Sequence, residues 1–212
     1  MRLLKMFGLA AIAAVAAMAF IGASSASATV LCKTATVPCP EKYGVGTIIE
    51  GTATNATLTS NLATVVCGHS VTKTEIEKAG GGAETVTGKI TSLTFTSCAT
   101  TAGVPCTVSV QKLPYHAEVH YTTGANGILT AKTGGLGSPG ANVVCVGVIS
   151  CTFEKALFTL PVDGGNPASV TANKISLERT AFGGTPLCGT EAFWDATYVS
   201  VGANTSIYVA KE

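Results

Sequence analysis

Apolar and polar residues alternate along most of the chain after residue 28, in short runs separated by Gly, Pro and Asn. Successive side chains of a β-strand point to opposite faces, so this alternation predicts antiparallel strands with one face buried. The runs amount to about 11–13 short strands, without the strand-helix alternation of a parallel α/β sheet. The pattern is typical of an all-β sandwich or barrel, and we predict an antiparallel β-sandwich that is immunoglobulin-like or jelly-roll-like.

The clearest hairpin joins residues 84–98 to residues 106–110 across a short loop. In its first arm the apolar positions change parity between Ile90 and Leu93. Both sets can face one core only if an extra residue lies between them. This predicts a β-bulge near residues 91–92.

Other local signals mark turns and irregularities. A parity change between Val170 and Ile175 predicts a second bulge, and the Asn-Gly pair at 126–127 predicts a tight hairpin turn. Residues 73–79 have the pattern of a helical turn, which the three glycines at 80–82 would end. No other stretch after residue 28 favours a helix.

The amino terminus has the pattern of an export signal. Arg2 and Lys5 precede an apolar run at 9–23, and small residues at 24–28 follow it. This predicts a signal-peptide helix over residues 1–28, cleaved after Ala28. The apolar run is about fifteen residues long, shorter than the roughly twenty that span a bilayer, so no stable membrane span is expected after cleavage.

Cleavage would leave residues 29–212, a size that suits a single domain with a sizeable core. Without Arg2 and Lys5, 11 of the 13 basic residues remain beside 12 acidic residues, which gives a formal charge of about −1. Such sparse and balanced charge offers no basic surface for nucleic acid and no polybasic patch for a membrane. We therefore expect one exported, disulfide-stapled β domain with a largely neutral surface and no nucleic-acid partner.

All eight cysteines lie after residue 28, and an even number in an oxidising compartment predicts four disulfides. No two have the Cys-x2-4-Cys spacing of a zinc site, so no metal is predicted. Closure of the shortest loops favours the pairs Cys32–Cys39, Cys98–Cys106 and Cys145–Cys151, and leaves Cys67–Cys188. The alternative, with a hairpin turning at residues 80–82, pairs Cys67 with Cys98 and Cys106 with Cys188.

Five tracts carry a family resemblance: residues 31–33, 38–40, 113–118, 164–170 and 194–198. With them, the chain resembles a group of exported, cysteine-containing all-β proteins of soil actinobacteria, a group with no assigned activity. The resemblance covers nearly the whole chain after the signal peptide. It implies a bacterial, extracytoplasmic setting and supplies no catalytic residues.

No arrangement of residues demands a particular reaction. The Gly-His-Ser tract at 68–70 lacks the second glycine of a nucleophile elbow. No glycine motif precedes a helix, so no nucleotide cofactor is expected, and we predict no other cofactor. The acidic residues show no recognisable pairing for glycosidic cleavage.

Two groups of residues are candidates for ligand binding. His116, Glu118 and His120 share one face of a predicted strand, but about 13 Å separates the histidines along it, so Glu118 and only one of them can share a metal ion. A solvated polar face is the simpler interpretation. An aromatic strip that includes Trp194 and Tyr115 could stack on sugars, although a lone Trp beside disulfides is more often in the core.

These observations favour a secreted or cell-envelope protein that is a non-enzymatic binding or structural module. Its ligand is unknown, and a cell-wall glycan or another envelope protein is a candidate partner. One alternative is a secreted hydrolase with an unrecognised site among His116, Glu118, His120 and Asp195. Another is a carbohydrate-binding module that uses exposed aromatic residues. A further alternative is an outer-envelope β-barrel assembly, but several strands are too short and too interrupted by glycine for a pore.

Overall fold

The computed structural model describes residues 28–135, 137–146, 149–184 and 188–212. These residues form thirteen β-strands and no α-helix, which confirms the all-β prediction and the strand number. None of them belongs to a helix long and apolar enough to cross a membrane. The predicted signal peptide, residues 1–28, lies outside the described residues except for Ala28. The strands are β1 Thr29–Cys32, β2 Ile48–Ser60, β3 Thr64–Lys78, β4 Val86–Thr100, β5 Pro105–Gln111, β6 Tyr115–Tyr121, β7 Gly127–Thr133, β8 Gly140–Cys145, β9 Ile149–Glu154, β10 Phe158–Asp163, β11 Ser169–Gly184, β12 Glu191–Val201 and β13 Tyr208–Lys211.

Eight of these strands form a closed antiparallel barrel. They hydrogen-bond in the order β10-β7-β6-β4-β3-β2-β12-β11, and β11 pairs again with β10 through Val170 and Val162. The predicted β-sandwich is therefore wrong. Alternating apolar and polar residues show which face of a strand is buried, and they are the same whether the sheet stacks on another sheet or closes on itself.

A second closed circuit uses the far ends of the longest strands. Strands β5, β8 and β9 connect β4 to β11. The second circuit therefore shares β4, β3, β2, β12 and β11 with the first. We call the circuit through β6, β7 and β10 the main circuit, and the circuit through β5, β8 and β9 the cysteine circuit. β3 and β4 have 15 residues each and β11 has 16, so the prediction of short strands is wrong for them.

A crease separates the two circuits where Asn55, Gly68 and Ser97 lie opposite one another on β2, β3 and β4. Asn55 and Ser97 both have a φ of 54°, in the left-handed region. On β3 the inward face changes parity here, since Cys67 and Ser70 are both buried. A Cβ on Gly68 would lie 3.2 Å from the Ser97 Cβ, so glycine allows the strands to stay close at the crease.

Both predicted bulges are confirmed. The β3–β4 register pairs Lys73 with Ser92 and then Thr74 with Ile90, which leaves Thr91 as the extra residue. The β11–β12 register shifts between Ala172 and Ile175. Residues 73–79 form no helical turn, because most of them belong to β3, where buried Ile76 alternates with exposed or half-buried neighbours.

The disulfides are Cys32–Cys39, Cys67–Cys98, Cys106–Cys145 and Cys151–Cys188. The prediction is confirmed for Cys32–Cys39, and so is the alternative Cys67–Cys98. The pairings Cys98–Cys106, Cys145–Cys151, Cys67–Cys188 and Cys106–Cys188 are wrong. The reason is a row of four cysteines, one on each of the neighbouring strands β3, β4, β5 and β8, namely Cys67, Cys98, Cys106 and Cys145. Cys98 does lie opposite Cys106, but Cys98 is bonded to Cys67 and Cys106 is bonded to Cys145.

The first and last strands close one end of the main circuit. β1 and β13 form a separate antiparallel pair, and Leu31 and Val209 of this pair pack against Val86 and Val119 of the barrel wall. The Val209 backbone N–H also donates to the Ala125 carbonyl at 2.8 Å. We call the β1–β13 pair the plug.

The loop lengths predict unequal contributions of the disulfides to stability. Cys106–Cys145 spans 39 residues and Cys32–Cys39 spans 7. In the chain-entropy model their loss costs roughly 4 and 2.5 kcal/mol, respectively. We expect urea unfolding to show a larger loss for Cys106→Ala/Cys145→Ala than for the matched control Cys32→Ala/Cys39→Ala. Equal losses would show that unfolded-state entropy does not set the contribution of these bonds.

Candidate functional site

The interior of the main circuit contains a cavity of about 150 Å³. Its wall is mostly apolar, and several strands and the plug contribute aliphatic side chains to it: Leu31, Ile49, Ile90, Leu129, Leu160 and Val170. Glycine and alanine occupy other wall positions, among them Gly88 and Ala117. A Cβ on Gly88 would lie 2.9 Å from the Glu75 carbonyl oxygen, so the backbone itself approaches closely there. These small residues leave the centre of the barrel unfilled.

A smaller cavity of about 50 Å³ lies toward the cysteine circuit. Phe95, Val108 and Tyr115 contribute to its wall. Leu93 and Trp194 line both cavities and therefore form the partition between them. Trp194, predicted as a binding or core residue, thus lies inside the barrel.

The Trp194 indole is held between two other rings. The Phe158 centroid is 5.6 Å away with an interplanar angle of 69°, and the Tyr198 centroid is 6.1 Å away at 63°. Both are edge-to-face arrangements, which aromatic pairs favour. The indole Nε1 is buried, and it has no hydrogen-bond partner within the described part of the chain. A buried donor without a partner costs about 1–3 kcal/mol.

Tyr198 is anchored through its hydroxyl. Ser70 Oγ lies 2.9 Å from the Thr94 carbonyl oxygen and 2.8 Å from Tyr198 Oη. Because the single Ser70 proton goes to the carbonyl, the Tyr198 hydroxyl donates to Ser70 Oγ. Burial raises the pKa of Tyr198 to about 12, so its hydroxyl is neutral at ordinary pH. His69 is exposed while Ser70 is buried, so these neighbours form no Ser-His arrangement.

The predicted polar strand face lies on the outside of the barrel. Tyr115, Ala117 and Val119 are buried, whereas His116 and Glu118 are half-buried and His120 is exposed, as the alternation predicts.

His116 belongs to a charge cluster on this outer face. Its Nδ1 lies 3.4 Å from Glu77 Oε2, and Glu77 Oε1 lies 2.8 Å from Lys89 Nζ. The hydrogen bond from Lys89 is the main cause that lowers the pKa of Glu77, and the same bond raises the pKa of Lys89. Glu77 comes from β3, and its place beside His116 is set by the pairing of three strands.

The second histidine has a different carboxylate. His120 Nε2 lies 3.6 Å from Glu118 Oε2, so the two histidines contact separate acidic residues. Nowhere in residues 28–135, 137–146, 149–184 and 188–212 do three or more His, Cys, Asp or Glu side chains come together as a metal site would need. A metal ion shared by Glu118 and His120 would have only these two protein ligands.

The expected exposed aromatic strip does not form. Tyr115 and Tyr198 are 2% and 6% exposed, and Trp194 lies in the barrel interior. The Tyr115 hydroxyl donates to the Gln111 carbonyl at 2.5 Å, and burial raises the pKa of Tyr115 to about 12. Tyr115 and Tyr198 cannot stack on a sugar at the surface, because stacking requires an accessible ring face, and Trp194 is half-buried.

One arrangement had no signal in the sequence. Glu154, Glu178 and Glu191 lie directly opposite one another on β9, β11 and β12. Glu154 and Glu178 line an outer cleft of about 470 Å³. Glu154 is ion-paired with Lys112, and Glu191 lies 3.3 Å from Ser176 Oγ. Because β9 and β11 are not consecutive strands, no spacing rule could have paired Glu154 with Glu178.

The barrel interior and the glutamate row are thus the two candidate sites among the described residues. No known family model matches the chain, and comparisons with curated proteins and with solved structures find no significant match. The function is therefore argued from the geometry of these sites.

The buried tyrosines predict a loss of stability at alkaline pH. The pKa of Tyr198 rises from 10.0 to about 12 on folding, so its contribution is fully present below pH 10 and is lost as the pH rises through 12. Between these values each pH unit removes about 1.4 kcal/mol per such group. We expect the urea midpoint to fall between pH 9 and pH 11, and to fall less in the Tyr198→Phe variant. An equal fall in both proteins would contradict the assignment to Tyr198.

Proposed function

We propose that the protein is a non-enzymatic binding module that acts outside the cytoplasm and holds a small apolar molecule inside its barrel. The cavity of about 150 Å³ with its mostly apolar wall carries this proposal. An apolar cavity of about this volume stays dry and accepts molecules the size of benzene. Eight-stranded barrels are just wide enough to hold one small ligand when their side chains do not fill the interior.

The energetic cost of an empty cavity supports a ligand. Unfilled volume costs about 24 cal/mol per Å³ in protein cores, or about 3–4 kcal/mol for this cavity. A ligand that fits the space recovers part of this energy through dispersion contacts with the wall. The binding energy would come from shape and apolar contact rather than from charge.

The disulfides support the extracytoplasmic setting. The described residues contain four disulfides and no free cysteine, a state typical of proteins outside the cytoplasm. Export through a signal peptide at residues 1–28, to the cell envelope or the medium, is part of the proposal, and so is the resemblance to exported actinobacterial proteins. A ligand carrier in this setting would exchange its cargo with another envelope protein. A cell-wall glycan partner loses support, because Tyr115 and Tyr198 are buried and half-buried Trp194 lines the barrel interior.

A secreted hydrolase is the second candidate, and the glutamate row favours it over a site around His116. Glu154 and Glu178 lie directly opposite one another on the neighbouring strands β9 and β11, and both line an open cleft. Residues in such opposite positions have Cβ atoms about 5 Å apart. Retaining glycosidases use two carboxyl groups about 5–5.5 Å apart, and side chains on opposite positions of neighbouring strands can reach such a distance. A glycoside panel tests this candidate, with Glu178→Gln expected to abolish any activity found and Glu41→Gln as the surface control.

Titration with toluene tests the binding proposal directly. Trp194 is the only tryptophan of the chain and lines the cavity, so its emission reports occupancy. We expect a saturable change in emission and a rise in the unfolding temperature, equivalent to about 2.7 kcal/mol at a toluene concentration 100 times Kd.

A cavity-filling variant provides the control for this experiment. Ala117→Leu adds three carbons toward the cavity, whereas Thr130→Leu adds a leucine on the outer face of the neighbouring strand. Toluene should bind to the Thr130→Leu variant and lose most of its affinity for Ala117→Leu, or for Ala117→Val if the larger residue prevents folding. Equal affinity for the inward and outward variants, or no binding to the wild type, would refute the proposal.

A further inference from the structure

We infer that Leu93 sets the upper limit on the length of the ligand, because it separates the larger cavity from a second subsite that fits an alkyl chain. This inference rests on the proposed function and names the residue that selects among apolar ligands. It begins from the two cavities, of about 150 Å³ and about 50 Å³, on either side of the partition. Leu93 and Trp194 are the two described residues that line both cavities.

Trp194 is the fixed half of the partition. Its ring packs edge-to-face against the rings of Phe158 and Tyr198, with centroids 5.6 Å and 6.1 Å away. Tyr198 is anchored in turn, since its Oη lies 2.8 Å from Ser70 Oγ. The Trp194 ring could move aside only if these contacts were broken.

Leu93 is the half of the partition that a single substitution can remove. Its packing partners include Ala53, Ala56 and Ala196, whose short side chains cannot extend into the space that Leu93 fills. Cores that cannot collapse into the space of a deleted side chain retain most of it as a cavity. Truncation of Leu93 should therefore join the two cavities, because no neighbour closes the gap.

The smaller cavity suits a hydrocarbon chain. Val108, Val110 and Leu177 line it and do not line the larger cavity, and the Tyr115 hydroxyl at its wall donates to a backbone carbonyl. A cavity of about 150 Å³ accepts the six carbons of benzene, so the smaller one has room for about two more. With Leu93 in place, the ligand is limited to a compact molecule in the larger cavity.

Two isomers of butylbenzene test this limit, because they contain the same atoms in an extended or a compact shape. We expect Leu93→Ala to favour n-butylbenzene over tert-butylbenzene by roughly tenfold relative to the wild type, since each buried methylene contributes about fourfold in affinity and two can enter the smaller cavity. Leu129→Ala is the matched control, because Leu129 is also half-buried and lines the larger cavity alone. It should leave the ratio unchanged or favour the compact isomer. Calorimetry measures both isomers with all three proteins.

Nuclear magnetic resonance locates the bound chain. We expect magnetisation transfer between the terminal methyl group of n-butylbenzene and the methyl groups of Val108 in Leu93→Ala, and none in the wild type or in Leu129→Ala. If Leu93→Ala does not fold, Leu93→Val opens the partition by a smaller change and should give a shift in the same direction.

A series of alkylbenzenes from toluene to n-butylbenzene requires only the wild type. Its affinity should stop rising before n-butylbenzene, where the larger cavity is full. A steady gain of about fourfold per methylene through the whole series, or equal shifts of the isomer ratio in Leu93→Ala and Leu129→Ala, would overturn this inference and leave the proposed function standing. Failure of the wild type to bind toluene would overturn the proposed function itself.

Discussion

The pairing of β10 with β11 is the interaction on which the rest of the structure depends. It joins Val162 to Val170 and Asp163 to Ser169, and with it the main circuit has no free edge. An open edge would present unpaired N–H and C=O groups, which favour pairing with another chain. Closure also fixes the circumference at eight strands, and this sets how far apart the opposite walls stand. The sheet therefore cannot collapse at the small residues Gly88 and Ala117. The cavity persists because closure holds the opposite walls of the barrel apart.

The two circuits share five strands but have different interiors. The cysteine circuit is filled by the row of cystines together with valines such as Val65 and Val143, so covalent bonds and packing occupy its centre. The main circuit has its plug at one end and the Trp194 partition toward the other, with unfilled space between them. The crease at Asn55, Gly68 and Ser97 makes this difference possible, because it changes which residues of each long strand face inward. A single set of strands can thus support a tightly packed region and a hollow one.

The local features of this fold could be predicted from the sequence, and the closure could not. The bulge at Thr91 and the alternation around His116 depend on residues close together in the chain, and both predictions are confirmed. The choice between a sandwich and a barrel depends on which distant strands become neighbours, and the same holds for Cys106 and Cys145, which meet only because β5 lies beside β8. The candidate site divides in the same way. The outer histidine face follows from parity, whereas the cavity arises where small residues from several strands meet, a property that no single strand reveals.

The composition of its wall supports the proposal that the hollow region binds a ligand. Gly88 and Ala117 lie at wall positions where larger residues would take up space. The hydroxyls of Ser200 and Tyr198, which also line the space, have hydrogen-bond partners within the chain. An apolar molecule that fits would therefore recover part of the cost of the unfilled volume without leaving either hydroxyl unpaired. The four disulfides offset part of the energetic cost of such an interior, because they stabilise the fold independently of what fills the cavity.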